Sequence, residues 1–441
     1  MMPSHPQREA LHNEVHARPY ERLSAPLALS HIALVGPQAG AAYAHVVELL
    51  RKRHLPLPAA DANHFSVDLG GVHLRWEKHT EFHTCTFWKS LAEVPDSFDH
   101  TAIAELPAEW LAAMPGVWMV GLHMLVLDAP GLNQAAPGES PVTPLVMTNG
   151  LRRLVATTLN EDSLVGANIM DGDGQVYTDF RLRADGFARF VLARDTAMTP
   201  RRLGRAVQRL LEVETYRMAA LLGLPMAREV GESLVHAEQS LAEVAGLIRS
   251  AKRAEEPELL RQLTTLAGEV ESLYARTHAR FSASAAYFEL MQRRIAELRE
   301  QRIATLQTLG DFMDRRLTPA MQTCAWAARR QQALSERISR ISNLLRTRVE
   351  IEQQQSSQDL LDAMNRRQKA QLLLQHAVEG LSVAAVTYYG AGLVGYVAKG
   401  LKATGVEVLP DVAIAISIPL IALAVWLGIR RLHRSAQAAA D

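Results

Sequence analysis

Two short histidine-rich stretches near the start of the sequence carry residue types that bind metal ions. HNEVH places His12, Glu14 and His16 at alternate positions, and HTEFH repeats this order at residues 79 to 83. On an extended strand alternate side chains share a face, so each stretch would offer two imidazoles and a carboxylate, which are zinc ligands. The same alternation describes any solvated strand face. The sequence therefore leaves two interpretations, a metal site at His12, Glu14 and His16 or an ordinary exposed strand.

A second set of polar residues lies inside an apolar run, AVEGLSVAAVTYYGAGLVGYVA. Glu379, Ser382, Tyr389 and Tyr396 follow one another at helical spacing and share one face with two apolar residues between them. Ionisable groups inside a membrane are costly and commonly face a partner or a watery path. These four side chains are therefore candidate pore-lining or helix-contact residues. Because Glu379 lies about one turn inside the run, its carboxylate could instead reach the aqueous interface.

Recognised catalytic motifs do not accompany these residues. The sequence contains no GxGxxG after a strand and no GxxxxGK[ST], HExxH, GxSxG or CxxC. The sequence therefore indicates no catalytic nucleophile and no general base to activate one. We predict a protein that is not an enzyme and needs no cofactor, and keep an anchored enzyme that uses the N-terminal histidines as the least supported interpretation.

The apolar run and a second one near the end of the chain predict two membrane-spanning helices. Residues 377–398 form 22 positions with a single charge, and residues 412–429 form 18 with none. A hydrocarbon core of ~30 Å needs roughly 20 apolar residues in helical form. Basic residues precede the first run and follow the second. The positive-inside rule therefore predicts a multi-pass protein of the cell inner (cytoplasmic) membrane, with both termini in the cytoplasm.

The middle of the chain predicts long helices. From residue 199 onwards strand alternation is absent, and Ala, Leu, Arg, Glu and Gln predominate. Thr199 and Pro200 form a cap and first-turn pair. The segment EEP at 255–257 begins a helix that we expect to continue to about residue 309. After Pro319 neither Gly nor Pro interrupts the sequence until Gly380, so the last cytoplasmic helix is expected to run into the first membrane helix.

The first 198 residues predict a mixed α/β domain. Turn signals such as Gly70-Gly71 separate short apolar segments, and the resulting hairpins make the sheet at least partly antiparallel. The predicted strands are residues 31–36, 64–69, 72–88, 116–128, 163–170, 175–183 and 187–193. The predicted helices are residues 41–54, 98–113 and 145–160.

Together these segments predict an α/β N-terminal cytoplasmic domain followed by long α-helices and a C-terminal two-helix transmembrane hairpin. The predicted boundaries are a cytoplasmic α/β domain at 1–198, a helical stalk at 199–376, membrane helices at 377–398 and 412–429, a short external turn at 399–411, and a basic cytoplasmic tail at 430–441.

The net charge and the cysteine content of the sequence limit which partners and which cellular compartment we expect for the protein. The 47 basic and 47 acidic residues cancel, so the electrostatic footprint of a nucleic-acid-binding protein is missing and no nucleic-acid partner is expected. Two distant cysteines, Cys85 and Cys324, and a start without a secretory pattern predict a reducing cytoplasm for most of the chain. The lipid bilayer and further copies of the chain are the expected partners.

Seven stretches together resemble a bacterial family of predicted membrane-anchored proteins of unknown function. They follow the family's order over about the whole chain: LHNEVHARP (11–19), LRWEKHTEF (74–82), TDFRL (178–182), TPRRLGRAVQRLLEVETYRM (199–218), RFSASAAYFELMQRRIAELRE (280–300), TLGDFMDRRLTPAM (308–321) and EGLSVAAVTYYGAGLVGY (379–396). The resemblance implies a membrane anchor and supplies no reaction or substrate. In that family the HTEF segment does not require His83, which weakens the metal interpretation there.

The order of the segments is similar to that of the CorA-type divalent-cation channels. In those pentamers the first membrane helix lines the pore and ends in a Gly-Met-Asn signature that binds the hydrated ion. The comparable positions here read Tyr388-Tyr389-Gly390-Ala391-Gly392. Without Met-Asn, the resemblance does not support magnesium selectivity and leaves transport itself in question.

Two functions follow as expectations. The first is a homo-oligomeric, CorA-like channel or transporter, a pentamer if it follows that family, with a divalent cation as its substrate. The second is a non-transporting, membrane-anchored scaffold or tether. In it the polar stripe, formed by Glu379, Ser382, Tyr389 and Tyr396, serves as a helix contact together with the small residues Ala391 and Gly395.

Overall fold

The structure is a computed structural model, and it describes residues 5, 7–14, 19–36, 39–130, 132, 149–303, 305–403, 405 and 409–438. The chain divides into two compact units. The first comprises residues 1–250 and 261–342, and the second comprises residues 251–260 and 343–441. The first unit thus contains both the sheet predicted within 1–198 and several of the helices that follow it.

The described residues form nine strands and ten α-helices. The strands are β1 (Leu27–Val35), β2 (His64–Asp68), β3 (His73–Lys78), β4 (Phe82–Ser90), β5 (Val117–Asp128), β6 (Val165–Ile169), β7 (Gly174–Thr178), β8 (Ala188–Arg194) and β9 (Gln301–Arg302). The helices are α1 (Arg8–Glu14), α2 (Ala39–Lys52), α3 (Ala108–Ala112), α4 (Asn149–Thr158), α5 (Pro200–Leu221), α6 (Gly223–Ser250), α7 (Glu256–Leu298), α8 (Leu309–Arg316), α9 (Thr318–Ala403) and α10 (Pro410–Ala438).

All nine described strands belong to one sheet, in the order β2-β3-β4-β1-β5-β8-β7-β6-β9. Strands β5 and β8 pair in parallel, and the other pairings among the described strands are antiparallel. The predicted mixed α/β sheet domain is therefore confirmed. Each of the seven strand segments expected from the sequence overlaps at least one of these strands.

The two faces of the sheet are covered by different helices. Along β1 and β4 the side chains alternate, so Ile32, Cys85 and Phe87 point to one face and pack with Leu50 of α2. The intervening residues point to the other face, where α5 buries Val207 and its apolar neighbours. This division places alternate residues of one strand in two unrelated environments.

Helix α5 begins where the sequence predicts. Thr199 is its N-cap and its side chain accepts a hydrogen bond from the backbone N–H of Arg202, with Pro200 in the first turn. Helix α7 likewise begins at Glu256. The long helices that were expected to follow the sheet are confirmed.

Two helix predictions were wrong in part. The segment expected as a helix over residues 98–113 contains only a short 3-10 helix, Ala102–Glu105, and α3, with Pro107 between them. The segment expected to stay helical to about residue 309 leaves the helix at Leu298, and Gln301 and Arg302 then pair with β6 as the edge strand β9. The side chain of Glu300 accepts hydrogen bonds from the backbone N–H groups of Leu309 and Gly310, at the start of α8. These backbone pairings with distant partners outweigh the local helical preference of the sequence.

The second unit contains the apolar segments. The helical stretch Leu309–Leu401, which ends in this unit, and the stretch Pro410–Arg431 each include a segment long and apolar enough to cross a membrane. Helix α9 is continuous through Gly380 and Gly400 and ends at Ala403. A C-terminal apolar helix, α10, follows.

Candidate functional site

The four polar residues predicted in the apolar run lie on one exposed stripe of α9. Tyr389 and Tyr396 expose 72% and 78% of their surface, and Ser382 is exposed as well. Glu379 is half-buried, and its carboxylate accepts a hydrogen bond from the side-chain amide of Gln375 at 3.1 Å. The structure therefore brings the predicted residues onto a common surface of the second unit.

A separate face of α9 packs on α10. Ala391, Gly395 and Ala398 are buried there, and a Cβ added at Gly395 would lie 2.8 Å from Cδ1 of Ile414. At 100° per residue, the centre of this face is roughly 170° around the helix from the centre of the polar stripe, so the two lie on opposite sides of α9. The small residues therefore serve a contact within the chain, which leaves the polar stripe outside it.

The first histidine trio is not on a strand. His12 and Glu14 belong to helix α1, where residues two apart point to different sides. The strand geometry on which the metal prediction depended is therefore wrong. The side chain of Glu14 and all of His16 lie outside the described residues, so the ligand set itself stays a prediction.

The second trio is divided by a turn. The segment expected as one strand over residues 72–88 forms β3 and β4, joined at Thr80 and Glu81, with the backbone N–H of His79 donating to the carbonyl of Phe82 at 2.8 Å. The carboxylate of Glu81 accepts from Arg280 at 2.9 Å. His83 is buried on the sheet face that carries Cys85. Within the described part of the chain, no group of three or more His, Cys, Asp or Glu residues is arranged to hold a metal ion.

His83 makes the stability of the first unit depend on pH. It is 2% exposed, and neither ring nitrogen has a hydrogen-bond partner among the described residues. Burial lowers its pKa from 6.5 to about 4. The unfolded chain therefore binds a proton that the folded chain excludes between these values, so the free energy of unfolding falls as the pH decreases through this range.

We expect His83→Leu to remove this part of the acid sensitivity. Between pH 7 and pH 4.5 the variant should lose about 2 kcal/mol less stability than the unsubstituted protein, because its buried side chain cannot be protonated. Chemical denaturation at the two pH values measures the difference. His100→Leu, at an exposed histidine, is the matched control and should follow the unsubstituted protein. Equal acid sensitivity of the His83 and His100 variants would contradict the prediction.

The first unit also contains a cavity that the sequence did not indicate. Its volume is about 270 Å³, and it lies between one face of the sheet and helix α5. The floor is formed by alternate residues of β4, namely Phe82, Thr84, Thr86 and Trp88, beside His31 of β1. The pairings His31↔Thr86 and Leu29↔Trp88 place the two strands in register across this floor.

Helix α5 and the segment before β1 form the walls of the cavity. A Cβ added at Gly204 would lie 1.8 Å from the carbonyl oxygen of Glu21, so only glycine permits this approach of α5 to the segment. The backbone N–H of Leu23 also donates to the carbonyl of Pro200 at 3.2 Å. The segment around Tyr20 and Glu21 is thereby held against the start of α5.

The uncharged imidazole of His31 links the sheet to α5 through hydrogen bonds. Burial lowers its pKa to about 4. Its Nε2 lies 3.0 Å from Oγ1 of Thr215, and its Nδ1 lies 2.8 Å from Oγ1 of Thr86. The Thr215 hydroxyl donates its proton to the carbonyl of Leu211. His31 therefore donates from Nε2 to Thr215 and accepts at Nδ1 from Thr86, because a neutral imidazole has one donor and one acceptor.

The charged groups that line the cavity are balanced and paired. Arg75 donates to Glu77 at 2.9 Å and to the carbonyl of Pro19 at 2.8 Å. Arg294 pairs with Glu212, and Arg209 donates to Glu297 at 3.0 Å. Guanidinium groups held in this way fix the walls of the cavity rather than offering an open anion site.

The residues that line the cavity are separated widely in sequence, but many lie in stretches that carry the family resemblance. Thirteen of the 21 lining residues fall within 74–82, 199–218 and 280–300. The sequence feature that indicates this face is F-x-T-x-T-x-W, from Phe82 to Trp88, in which aromatic and hydroxyl residues occupy every second position. That pattern indicates a strand with one special face, but the sequence does not reveal which helix faces it.

Comparison with known proteins identifies a family and no function. The chain matches the family model DUF3422, described as a protein of unknown function, over residues 3–436. Neither the curated proteins nor the solved structures compared with it gave a match. Since the family match covers nearly all of its length, the chain belongs to the DUF3422 family of proteins of unknown function.

Proposed function

We propose that the chain is an integral membrane protein that assembles into a homo-oligomeric, CorA-like channel or transporter for divalent cations. The observation that carries this proposal is the position of Glu379, Ser382, Tyr389 and Tyr396 on a face of α9 that α10 does not cover. The proposal includes insertion of both apolar segments in the cell inner membrane, with the two termini in the cytoplasm.

The cost of polar groups in lipid supports an assembly of several copies. A carboxylate and hydroxyl groups that face hydrocarbon lose their contact with water, whereas the same groups facing a water-filled path keep it. Two helices of one chain cannot enclose such a path. In a ring of copies, each α9 would turn this stripe toward the axis, and each α10 would lie outside it.

A polar lining of this composition suits a hydrated cation. Hydroxyl oxygens can accept hydrogen bonds from the water shell of a cation, and a ring of carboxylates at the mouth attracts cations. Glu379 would supply that ring, since it is the first polar residue of the stripe. The lack of Met-Asn near Gly390 leaves the choice among Mg²⁺, Zn²⁺, Co²⁺ and Ni²⁺ to experiment.

The test is ion flux into liposomes that contain the purified protein. We expect uptake of at least one of these four cations, and we expect Glu379→Gln to reduce the uptake about tenfold because the ring of negative charge is lost. Tyr389→Ala should also change the flux. Asp362→Asn, which removes an exposed carboxylate from α9 before the apolar run, is the matched control and should leave the flux unchanged.

Silence toward all four cations would reject transport. The alternative is a non-transporting scaffold or tether, in which the same stripe joins copies without enclosing water. Oligomeric state in detergent and flux together separate the two functions. An oligomer without flux supports the scaffold, and a monomer contradicts the proposed pore.

A further inference from the structure

The cavity beneath α5 contains buried polar atoms whose hydrogen-bonding capacity is unused. The hydroxyl of Thr84 and the side-chain carbonyl oxygen of Gln208 are buried, line the cavity and have no hydrogen-bond partner in the described part of the chain. Thr84 is only 3% exposed. Burying such a group without a hydrogen bond destabilises the folded protein. Because Thr84 belongs to the β4 floor and Gln208 to α5, one molecule between the sheet and the helix could satisfy both.

The local geometry explains why Thr84 has no protein partner. Thr86, two residues further along β4, donates its hydroxyl proton to Nδ1 of His31. The residue opposite Thr84 on β1 is Ala33, which has no polar side-chain atom, and the residue opposite it on β3 is Glu77, whose carboxylate accepts a hydrogen bond from Arg75. Likewise, Nε2 of Gln208 donates to Glu212 at 2.8 Å, which leaves the carbonyl oxygen as the unused acceptor. The site therefore offers a hydroxyl and an amide acceptor.

Four of the eight large apolar side chains that line the cavity are aromatic. Phe82 and Trp88 lie at the two ends of the β4 floor, and Tyr20 and Tyr216 belong to the walls. Aromatic rings favour stacked or edge-to-face contact with other flat rings. The volume of about 270 Å³ suits a molecule of one or two rings.

The charges that line the cavity indicate whether its ligand is charged or neutral. Arg75, Arg209 and Arg294 are matched by Glu21, Glu77 and Glu212 among the lining residues, and His31 is neutral. A free anion or cation would meet no excess of the opposite charge and would lose its hydration on entry. An uncharged ligand avoids this cost.

We propose that the cavity binds a small, uncharged, planar heterocycle, such as a nucleobase, a nucleoside or nicotinamide, between the β4 floor and α5. An N–H group of the ligand would donate to the side-chain oxygen of Gln208, and Thr84 would exchange a hydrogen bond with a polar ring edge or substituent. The aromatic residues would contact the faces or edges of the ring. This site lies within the first unit and does not depend on ion transport.

The experiment uses the full-length protein in detergent and isothermal titration calorimetry. Adenosine, uridine and nicotinamide are the neutral probes, and AMP and L-tryptophan are the charged and zwitterionic comparisons. We expect saturable binding of at least one neutral probe. Thr84→Val and Gln208→Met should each weaken it about five- to tenfold, through loss of one hydrogen bond.

Thr157→Val is the matched control, because Thr157 is an exposed threonine of α4 that does not line the cavity. It should bind the neutral probe like the unsubstituted protein. Thermal unfolding of every variant confirms that it is folded, and the Gln208 variant preserves the test if the Thr84 variant is unstable.

Three results would overturn the proposal. The first is no saturable binding of any neutral probe at millimolar concentration. The second is tighter binding of AMP or L-tryptophan than of every neutral probe. The third is unchanged affinity in both the Thr84 and the Gln208 variants, which would place the bound molecule elsewhere.

Discussion

Gly204→Ala is expected to lower the free energy of unfolding of the first unit by about 3 kcal/mol, at the upper end of the cost of overpacking. The added Cβ would lie 1.8 Å from the carbonyl oxygen of Glu21 and 2.9 Å from its carbonyl carbon. Both are backbone atoms, so no side chain can rotate to relieve the clash. Helix α5 must move away from the segment, at the expense of the hydrogen bond from Leu23 to Pro200.

The matched control is Gly231→Ala in α6. A Cβ at Gly231 would meet nothing within 4 Å, and alanine is favoured over glycine within a helix by roughly 0.5–1 kcal/mol. Thermal unfolding followed by circular dichroism should therefore show a lower transition temperature for the Gly204 variant and an equal or higher one for the Gly231 variant. Equal transition temperatures for the Gly204 variant and the unsubstituted protein would show that α5 does not depend on this close approach.

Asp179→Ala is expected to cost about 3 kcal/mol, because it removes a buried charge and leaves its donors unpaired. The side chain of Asp179 has no exposed surface. Its carboxylate accepts from the backbone N–H of Asn160 at 2.9 Å, from that of Arg181 at 3.0 Å and from the guanidinium of Arg183 at 2.5 Å. One carboxylate thus joins the end of β7 to the segment that follows α4.

Asp162→Ala is the corresponding control at an exposed aspartate near the same segment. Its effect should remain within about 0.5 kcal/mol, as for most surface substitutions. Asp179→Asn keeps the shape of the side chain but loses its charge, so it should fall between the two. Urea denaturation measures all three. A loss below about 1 kcal/mol for Asp179→Ala would contradict the role of this carboxylate as a buried junction.

The local patterns in the sequence were sufficient for most of the sheet. Turn signals such as Gly70-Gly71 and the apolar segments between them placed β1 to β8 to within a few residues, because alternation and turn chemistry act between near neighbours. The turn at Thr80 and Glu81 was missed because neither residue is a typical turn former. Strand β9 was missed because its two residues pair with β6, a partner that is distant in sequence.

The histidines show a different kind of error. The alternation of His12, Glu14 and His16 was read as a strand, yet the described part of this stretch is a helix. In HTEFH, His79 lines the cavity whereas His83 points to the opposite sheet face. Residue types that can bind a metal therefore do not converge merely because they are close in sequence.

The sequence by itself determined the mixed α/β class, the long helices, the two apolar segments and the stripe that contains Glu379 and Tyr389. Each of these depends on composition or periodicity within a short window. Only the tertiary structure decided that Ala391 and Gly395 pack on α10, that His31 joins the sheet to α5, and that Thr84 and Gln208 line one cavity. Those contacts are made by residues that are distant in the chain. Close packing between two elements leaves no recognisable pattern in the sequence of either element.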